Sequence, residues 1–264
     1  MQILTALFLG IVQGFTEFLP VSSSGHLALL QSWLGFKNPP ITFDILLHLG
    51  TLLAILWFFK KTLQEIASQF WQSVSKKDWH LFPKISYLVI IGTLPATILG
   101  LLIKSSIETF FTTKLFIGIG FLISSAFLLS SQFLTQKNQD KTITIKRAVI
   151  IGLAQAIAIL PGISRSGSTV STGLLQGIKR EEAFTFSFLL AIPAIVGAVT
   201  LDLDKITSIS SDQIPSYVIG FTAAFITGMV SLLIFKKLVS QLKLSWFGFY
   251  CLTLGMITMF FSIF

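Results

Sequence analysis

The stretch GIVQGFTEFLPVSSSGHL (residues 10–27) decides the fold, because GLAQAIAILPGISRSGST (residues 152–169) aligns with it without a gap. Residue 10 aligns with residue 152, an offset of 142, and six of the 25 pairs between residues 6–30 and 148–172 are identical. The identical pairs are Ala6/Ala148, Gly10/Gly152, Gln13/Gln155, Ser22/Ser164, Ser24/Ser166 and Gly25/Gly167. Where they differ, one copy carries Glu17 and His26 and the other carries Arg165. Two copies of one interrupted motif predict two related halves.

The composition is that of an integral membrane protein. Only 11% of the 264 residues are charged and 53% are hydrophobic, whereas soluble domains carry about 25% charged residues. Spanning helices need about 17–25 apolar residues. Six runs reach that length: residues 43–59, 86–103, 115–134, 183–201, 214–235 and 245–264.

Four shorter apolar runs flank the polar breaks. They are residues 3–19 and 27–36 around Pro20, and residues 148–160 and 170–178 around Pro161-Gly162. Short paired segments joined by a polar turn are typical of re-entrant hairpins rather than of full spans. The first run has no basic segment before it and contains Glu17, so it is not interpreted as a signal peptide.

The net charge of +8 is a topology signal, not a sign of nucleic-acid binding. Alternate loops hold 14 of the 19 basic residues: Lys60, Lys61, Lys76, Lys77, Lys84, Lys137, Lys141, Lys146, Arg147, Lys179, Arg180, Lys236, Lys237 and Lys243. The opposite loops hold Lys37, Lys104, Lys114 and Lys205. The positive-inside rule therefore places the lysine-rich loops in the cytoplasm.

These patterns predict an all-α polytopic membrane protein with an inverted-topology repeat. Each half is a re-entrant helical hairpin followed by three transmembrane helices. An odd number of crossings turns the second half upside down, so the two hairpins enter from opposite sides. We expect one integral membrane domain over residues 1–264, with repeat one about 1–135 and repeat two about 146–264. Such folds place their site near the bilayer midplane, where broken helices meet.

Glu17 is the first candidate site residue. A carboxylate at bilayer depth costs about 2.5–3.5 kcal/mol, so it needs a cation, a proton or a wet cavity. Gln13 precedes it by four residues and shares its helical face. The structural alternative is a buried hydrogen bond that stabilises the hairpin turn.

The run Ser22-Ser23-Ser24-Gly25-His26 offers three hydroxyls and an imidazole that titrates near neutrality. A serine near a histidine is the arrangement of an activated nucleophile, with the carboxylate as orienter or metal ligand. The alternative is helix capping, because serines readily cap the start of a helix. Both roles are compatible with each other.

The second break, Pro161–Thr169, favours a phosphate. Glycine lets the backbone approach an anion, a helix start donates N–H groups to it, and Arg165 supplies a planar pair of donors. The alternative is that Arg165 only pairs with Glu17, although a buried ion pair gains little stability for its desolvation.

Glu17 facing a phosphate implies a divalent cation between them, and oxygen ligands suit Mg²⁺ or Ca²⁺. Asp44 and His48, four residues apart, are weaker candidates for which packing is the simpler role.

These motifs resemble the signatures of the undecaprenyl-diphosphatase (bacitracin-resistance) family. The resemblance rests on Gln13-x-x-x-Glu17, on Pro20–His26, on Pro161–Ser166 with Thr169, and on the stretch 42–50. It covers the whole chain, and two long motifs at this separation are highly specific. The family admits Glu or Gln at position 13, so this chain has one carboxylate fewer for a metal.

The resemblance implies hydrolysis of undecaprenyl diphosphate at the outer face of the bacterial plasma membrane. This reaction recycles the lipid carrier for peptidoglycan synthesis and confers bacitracin resistance. The implied catalytic residues are Glu17, Ser23, His26 and Arg165; the implied substrate-binding residues are Gln13, Ser22, Ser24, Ser164, Ser166 and Thr169; and the implied metal ligands are Glu17 and Gln13. The implied partners are a polyprenyl diphosphate lipid and the bilayer, and a homodimer is left open. The rival class is a secondary transporter or a flippase of a lipid phosphate, because opposed re-entrant hairpins are also a transporter architecture.

Overall fold

The computed structural model describes residues 1–36, 41–110, 113–135, 140–202 and 209–263. Lys37, Lys137 and Lys205, which belong to the charge pattern above, lie outside these ranges. The described chain forms α1 (Ile3–Phe18), α2 (Ser23–Trp33), α3 (Ile41–Phe58), α4 (Lys60–Lys76), α5 (Lys84–Phe110), α6 (Lys114–Leu134), α7 (Ile145–Ile157), α8 (Arg165–Leu175), α9 (Arg180–Leu201), α10 (Ile214–Ser240) and α11 (Ser245–Ile263). Within the described ranges the only β-type pairing is one bridge, Lys141 to Ile178. The all-α prediction is confirmed.

Six described helices are long and apolar enough to cross a membrane: α3, α5, α6, α9, α10 and α11. Each coincides with one of the six predicted apolar runs, so the prediction of a polytopic membrane protein is confirmed. The helices beside the polar breaks are shorter. The second helix of each pair, α2 or α8, has 11 residues, about 16 Å of helix, or roughly half of the hydrocarbon core. Short helix pairs stand where the sequence predicts hairpins.

The second helix of each pair begins four or five residues before the predicted apolar run, because an aligned serine caps it. Ser22 Oγ accepts the N–H of the third residue after it at 3.4 Å, and Ser164 Oγ does the same at 3.1 Å. A capping hydroxyl satisfies one of the four unpaired N–H groups at a helix start. Ser23 and Arg165 therefore lie in the first turn of a helix, with their backbones fixed.

The first helix of each hairpin packs on a spanning helix of the other predicted half: α1 on α10, and α7 on α5. Both crossings are close because glycines meet there. A Cβ on Gly152 would lie 2.2 Å from the carbonyl oxygen of Gly92, and a Cβ on Gly10 would lie 2.4 Å from that of Gly220. Gly10 and Gly152 are an aligned pair of the sequence repeat. The inverted orientation and the repeat boundaries stay predictions.

The tips of the two hairpins meet against α6. A Cβ on Gly25 would lie 3.0 Å from the Cα atom of Gly162. Ser166 Oγ in the second hairpin donates to the carbonyl oxygen of Leu19 in the first, at 3.4 Å. Ser124 of α6 donates to the Gly162 carbonyl oxygen at 3.0 Å. The fold thus brings together the two polar breaks that lie about half a chain apart.

An aromatic cluster packs next to the end of α1. Its rings come from α1, the α3–α4 junction, α9 and α10: Phe18, Phe59, Phe184, Phe188 and Phe235. Each of these side chains is buried. Such rings gain hydrophobic and edge-to-face contacts, so they hold the last turn of α1, which carries Glu17, in a fixed place.

Candidate active site

Glu17 lies in the last turn of α1, where the chain turns at Pro20, and it is 8% exposed. Gln13, one turn earlier, donates from Nε2 to Glu17 Oε2 at 3.1 Å. The spacing of four residues therefore places both side chains on one face, as the sequence predicts. Gln13 Oε1 is buried and has no hydrogen-bond partner within the described ranges.

Arg165, the first residue of α8, pairs with this carboxylate from the other hairpin. Its Nη2 donates to Glu17 Oε1. The ion pair that sequence analysis treated as the alternative to anion binding is therefore present. It uses only part of the guanidinium, because the buried Nη1 atom has no hydrogen-bond partner among the residues that the structure describes. Buried donors are almost always satisfied, so Nη1 is available to donate to a bound group.

Ser23 completes the contacts of the Glu17 carboxylate from α2. Its hydroxyl donates to Glu17 Oε2 at 2.6 Å. The preceding Ser22 has a φ of 68°, a left-handed conformation that is uncommon for a residue with a side chain. That conformation turns the chain sharply enough for Ser23 to face back toward α1. Ser24 is exposed, and its hydroxyl lies 3.3 Å from that of Ser22.

The predicted phosphate-binding hydroxyls of the second hairpin surround Arg165 but are engaged within the protein. Ser164 Oγ caps α8 and lies 3.3 Å from Ser166 Oγ. Thr169 Oγ1 donates to the carbonyl oxygen of Arg165 at 2.7 Å and contacts the Ser187 hydroxyl. These contacts fix the first turn of α8 and so the position of the guanidinium. A direct contact of these hydroxyls with substrate stays a prediction.

His26 lies beside this cluster with partners of its own. Its Nδ1 is 2.8 Å from the carbonyl oxygen of Ser22, and its Nε2 is 2.7 Å from the hydroxyl of Tyr250. A carbonyl only accepts, so Nδ1 carries a proton and donates to Ser22; in the neutral imidazole Nε2 then accepts from the tyrosine hydroxyl. The rings of His26 and Tyr250 stack with centroids 5.7 Å apart. Sequence reasoning missed Tyr250, because an aromatic residue in an apolar helix carries no signal of such a partner.

His48 of α3 is the second residue that sequence reasoning undervalued. Its Nε2 lies 3.9 Å from Glu17 Oε2, and its Nδ1 is 2.8 Å from the carbonyl oxygen of Asp44. Asp44 itself accepts from Gln31 Nε2 at 2.7 Å. The signal was available: an ionisable residue at membrane depth, four residues from another, within the stretch that carries the family resemblance.

The two predicted metal ligands suit a cation whose remaining ligands come from substrate and water. They suit less well a cation that the protein alone coordinates. Within the described residues no group of three His, Cys, Asp or Glu side chains is arranged for a metal. The candidate oxygen ligands lie one turn apart on α1: the Glu17 carboxylate, which Gln13 Nε2 faces, and Gln13 Oε1, which has no hydrogen-bond partner in the described part of the chain. Mg²⁺ is commonly held by one or two protein oxygens with substrate phosphate and water. The donor set therefore fits such an ion, whose presence stays a prediction.

A carboxylate and a serine hydroxyl of the first hairpin converge with a guanidinium of the second inside a bundle of membrane-length helices. This arrangement defines a helical membrane protein with a polar cluster between its two hairpins. The chain belongs to the bacitracin resistance protein BacA family, whose sequence model matches residues 6–257.

Curated relatives match this chain along its length. A protein of Methanosphaera stadtmanae is 39% identical over 100% of this chain and 99% of its own. One of Carboxydothermus hydrogenoformans is 41% identical over 95% of this chain and 94% of its own. One of Christiangramia forsetii is 41% identical over 99% of both. Each of the three is named undecaprenyl-diphosphatase.

Proposed function

We propose that this protein is a membrane phosphatase that hydrolyses undecaprenyl diphosphate to undecaprenyl phosphate and inorganic phosphate. The observation that carries the proposal is Arg165, which lies half-buried at the meeting point of the hairpins and whose buried Nη1 atom has no hydrogen-bond partner among the described residues. A guanidinium fork binds phosphate oxygens well. Full-length relatives that bear the name undecaprenyl-diphosphatase support the same substrate, and the bilayer around the spanning helices accommodates its polyprenyl chain.

In the proposed reaction the terminal phosphoryl group lies between the hairpin tips, with its charge balanced by Arg165. The Ser23 hydroxyl attacks phosphorus and gives its proton to Glu17, the acceptor that lies 2.6 Å away. As the Oγ–P bond forms, the bridging P–O bond breaks and undecaprenyl phosphate leaves. Water then attacks the phosphoserine, the Oγ–P bond breaks, and Glu17 returns its proton to Ser23 Oγ. Inorganic phosphate departs with the oxygen and protons of that water. Positioning and electrostatic stabilisation supply most of the acceleration in phosphoryl transfer.

Two parts of the sequence-based mechanism stay proposals. His26 is the predicted acid or base, but its Nε2 faces Tyr250. In this geometry Glu17 is therefore the proton acceptor for Ser23, and the His26–Tyr250 pair fixes the start of α2. A Mg²⁺ or Ca²⁺ ion held by Glu17 and Gln13 would, when bound, neutralise charge on the phosphate oxygens.

The membrane side and the physiological role extend the proposal. The site opens to the outer face of the plasma membrane, which the lysine-rich loops support by marking the opposite side. There the reaction returns the lipid carrier to envelope synthesis and lowers sensitivity to bacitracin. A homodimer is a further proposal, tested by the mass of the purified protein in detergent.

Phosphate release from farnesyl diphosphate by purified protein in detergent, with Mg²⁺ present, tests the function. The native chain is expected to turn over without a sealed bilayer, whereas a transporter or flippase would release no phosphate. Arg165→Ala should lower kcat/KM by about 10²-fold or more, because a charge-stabilising donor is lost. The matched control is Arg147→Ala, a half-buried arginine at the start of α7 that donates to the Thr142 carbonyl oxygen and lies outside the Glu17 cluster. Equal activity of the two variants would remove Arg165 from the site.

Ser23 is tested as the nucleophile by acid quench and mass analysis of its peptide. A transient phosphoryl adduct on Ser23 is expected in the native chain and absent from Ser23→Ala. Full turnover by Ser23→Ala would assign the attack to water instead. Ser32→Ala, an exposed serine of the same helix, is the control.

A further inference from the structure

Helix α4 has two chemically distinct sides. Leu63, Ile66, Phe70 and Val74 recur at the three- and four-residue spacing that forms one stripe on a helix, and Trp71 borders it. The opposite side is polar, with glutamines, serines and lysines. A helix with one apolar stripe normally buries it against other protein, as α1 and α7 do.

The stripe is partly buried only over the first turns of α4, at Leu63 and Ile66. Leu63 packs against the main hydrophobic cluster of the bundle. Two and three turns after Leu63, Phe70 and Val74 are exposed, and Trp71 is 70% exposed. The turn that follows adds Trp79, which is 68% exposed. Phe70, Trp71, Val74 and Trp79 are called the apolar surface here. It extends beyond the end of α4, because the Phe70 ring contacts Phe82 just beyond the turn, with centroids 5.8 Å apart.

The position of this surface follows from its connection to a spanning helix. Phe59 is the single residue between the end of α3 and the start of α4, so α4 begins at the edge of the bilayer. Lys60 lies over the ring of Trp57 at the end of α3, 4.4 Å from its centroid. Leu63 and Phe70 lie on the same stripe, and Leu63 faces the helix bundle that spans the membrane. The exposed part of the stripe is therefore directed toward the membrane.

Lysines surround the apolar surface. Residues 60–84 contain five lysines against two acidic residues, a formal excess of three positive charges. The pairs Lys60-Lys61 and Lys76-Lys77 stand at the two ends of α4. Aromatic and aliphatic residues on one side of a helix, with lysines around it, are typical of helices that lie in the plane of an anionic membrane surface.

We propose that α4 and the Trp79 turn form an in-plane anchor that binds anionic phospholipids on the lysine-rich, cytoplasmic side of the membrane. The apolar stripe enters the boundary between head groups and acyl chains, and the lysines bind lipid phosphates. Its occupant is the inner leaflet itself. This site is separate from the catalytic one and recognises lipid by charge.

Fluorescence quenching in proteoliposomes tests the anchor on the full chain. The reporter variant keeps Trp71 and replaces Trp33, Trp57, Trp79 and Trp246 by Phe. Brominated phospholipid is expected to quench Trp71 and aqueous iodide to leave it largely unaffected. The matched control adds Trp71→Phe and Gln72→Trp, which moves the reporter to the polar side of the same helix. There iodide is expected to quench and brominated lipid to quench weakly.

Charge recognition is tested in the same vesicles. Brominated phosphatidylglycerol should quench Trp71 about twofold more than brominated phosphatidylcholine at equal mole fraction, because lysines enrich anionic lipid near α4. With Lys60, Lys61, Lys76 and Lys77 changed to Gln, that ratio should fall to about one. A ratio near one in the lysine-containing chain would overturn recognition of anionic lipid. Quenching of Trp71 by iodide as strong as in the control would overturn the anchor. Quenching by neither agent would overturn it as well, because it would show that protein covers this side chain.

Discussion

At the scale of single residues, the site is organised around one carboxylate. Glu17 is contacted by Gln13 from its own helix, by Ser23 from α2, by His48 from α3 and by Arg165 from α8. Burying a carboxylate is costly unless it is paired and hydrogen bonded. The four polar partners around Glu17 meet that condition. They also hold both carboxylate oxygens in place, and a proton acceptor needs such a fixed position.

The buried pair predicts non-additive stability. Glu17→Gln or Arg165→Gln alone leaves one uncompensated buried charge, with an expected loss of about 3–5 kcal/mol. The double variant leaves no such charge, so it should unfold at a higher temperature than either single variant. Thermal unfolding in one detergent checks this order. All three variants should lack activity; a double variant that unfolds below both singles would contradict the ion pair.

His48 predicts a graded effect on turnover. His48→Ala removes the imidazole whose Nε2 lies 3.9 Å from Glu17 Oε2 and should lower kcat about tenfold, which corresponds to about 1.4 kcal/mol of lost transition-state stabilisation. His48→Gln keeps a polar nitrogen there and should recover part of this loss. His80→Ala, an exposed histidine of the loop after α4, is the control. Should His48→Ala raise only KM, its contact would serve binding alone.

At the scale of elements, serines and glycines place the site. Equivalent serine caps start α2 and α8, and equivalent glycines let α1 and α7 approach their neighbours. The caps put Ser23 and Arg165 at helix starts, and the glycines fix the depth of the two hairpins. The same small residues that interrupt the apolar pattern therefore determine where the reactive groups stand.

The glycine contacts predict opposite results for one chemical change. Gly152→Ala places a Cβ against the Gly92 carbonyl and should destabilise the protein by about 1–3 kcal/mol through overpacking. Gly197→Ala adds the same methyl group on α9, where no atom of the described residues lies within 4 Å of the added Cβ. It should be neutral or stabilising by up to about 1 kcal/mol. Melting temperatures in one detergent compare the two; equal shifts would show that α7 and α5 relax apart without cost.

At the scale of the whole molecule, much of the architecture follows from the sequence. The six spans are predictable because bilayer thickness imposes a length on apolar runs. The contact between Glu17 and Arg165 is predictable because two related motifs with complementary charges suggest one shared site. The helix in residues 60–76 was not predicted, since a polar loop was expected there although its apolar spacing was visible.

Residues that are far apart in the sequence and meet only in the folded protein could not be paired from the sequence alone. Tyr250 meets His26 across 224 residues of chain, and no local pattern in α11 points to an imidazole. In the sequence, the pattern around His48 is that of a packed residue. Its contact with Glu17 is visible only once α3 lies beside α1. Both partnerships arise from tertiary packing, which a periodic pattern does not encode.

The Glu17–Arg165 contact joins the two hairpins, and this has a consequence for a chain cut in two. Fragments 1–139 and 140–264, expressed separately, should each insert in the membrane yet show no phosphatase activity, because each carries only one of the opposite charges. Expressed together, they should reassemble and regain measurable turnover. Activity in either fragment alone would mean that a single half holds a complete catalytic apparatus. Activity restored by expressing the two fragments together would instead show that the reaction takes place at the interface between two halves of one chain.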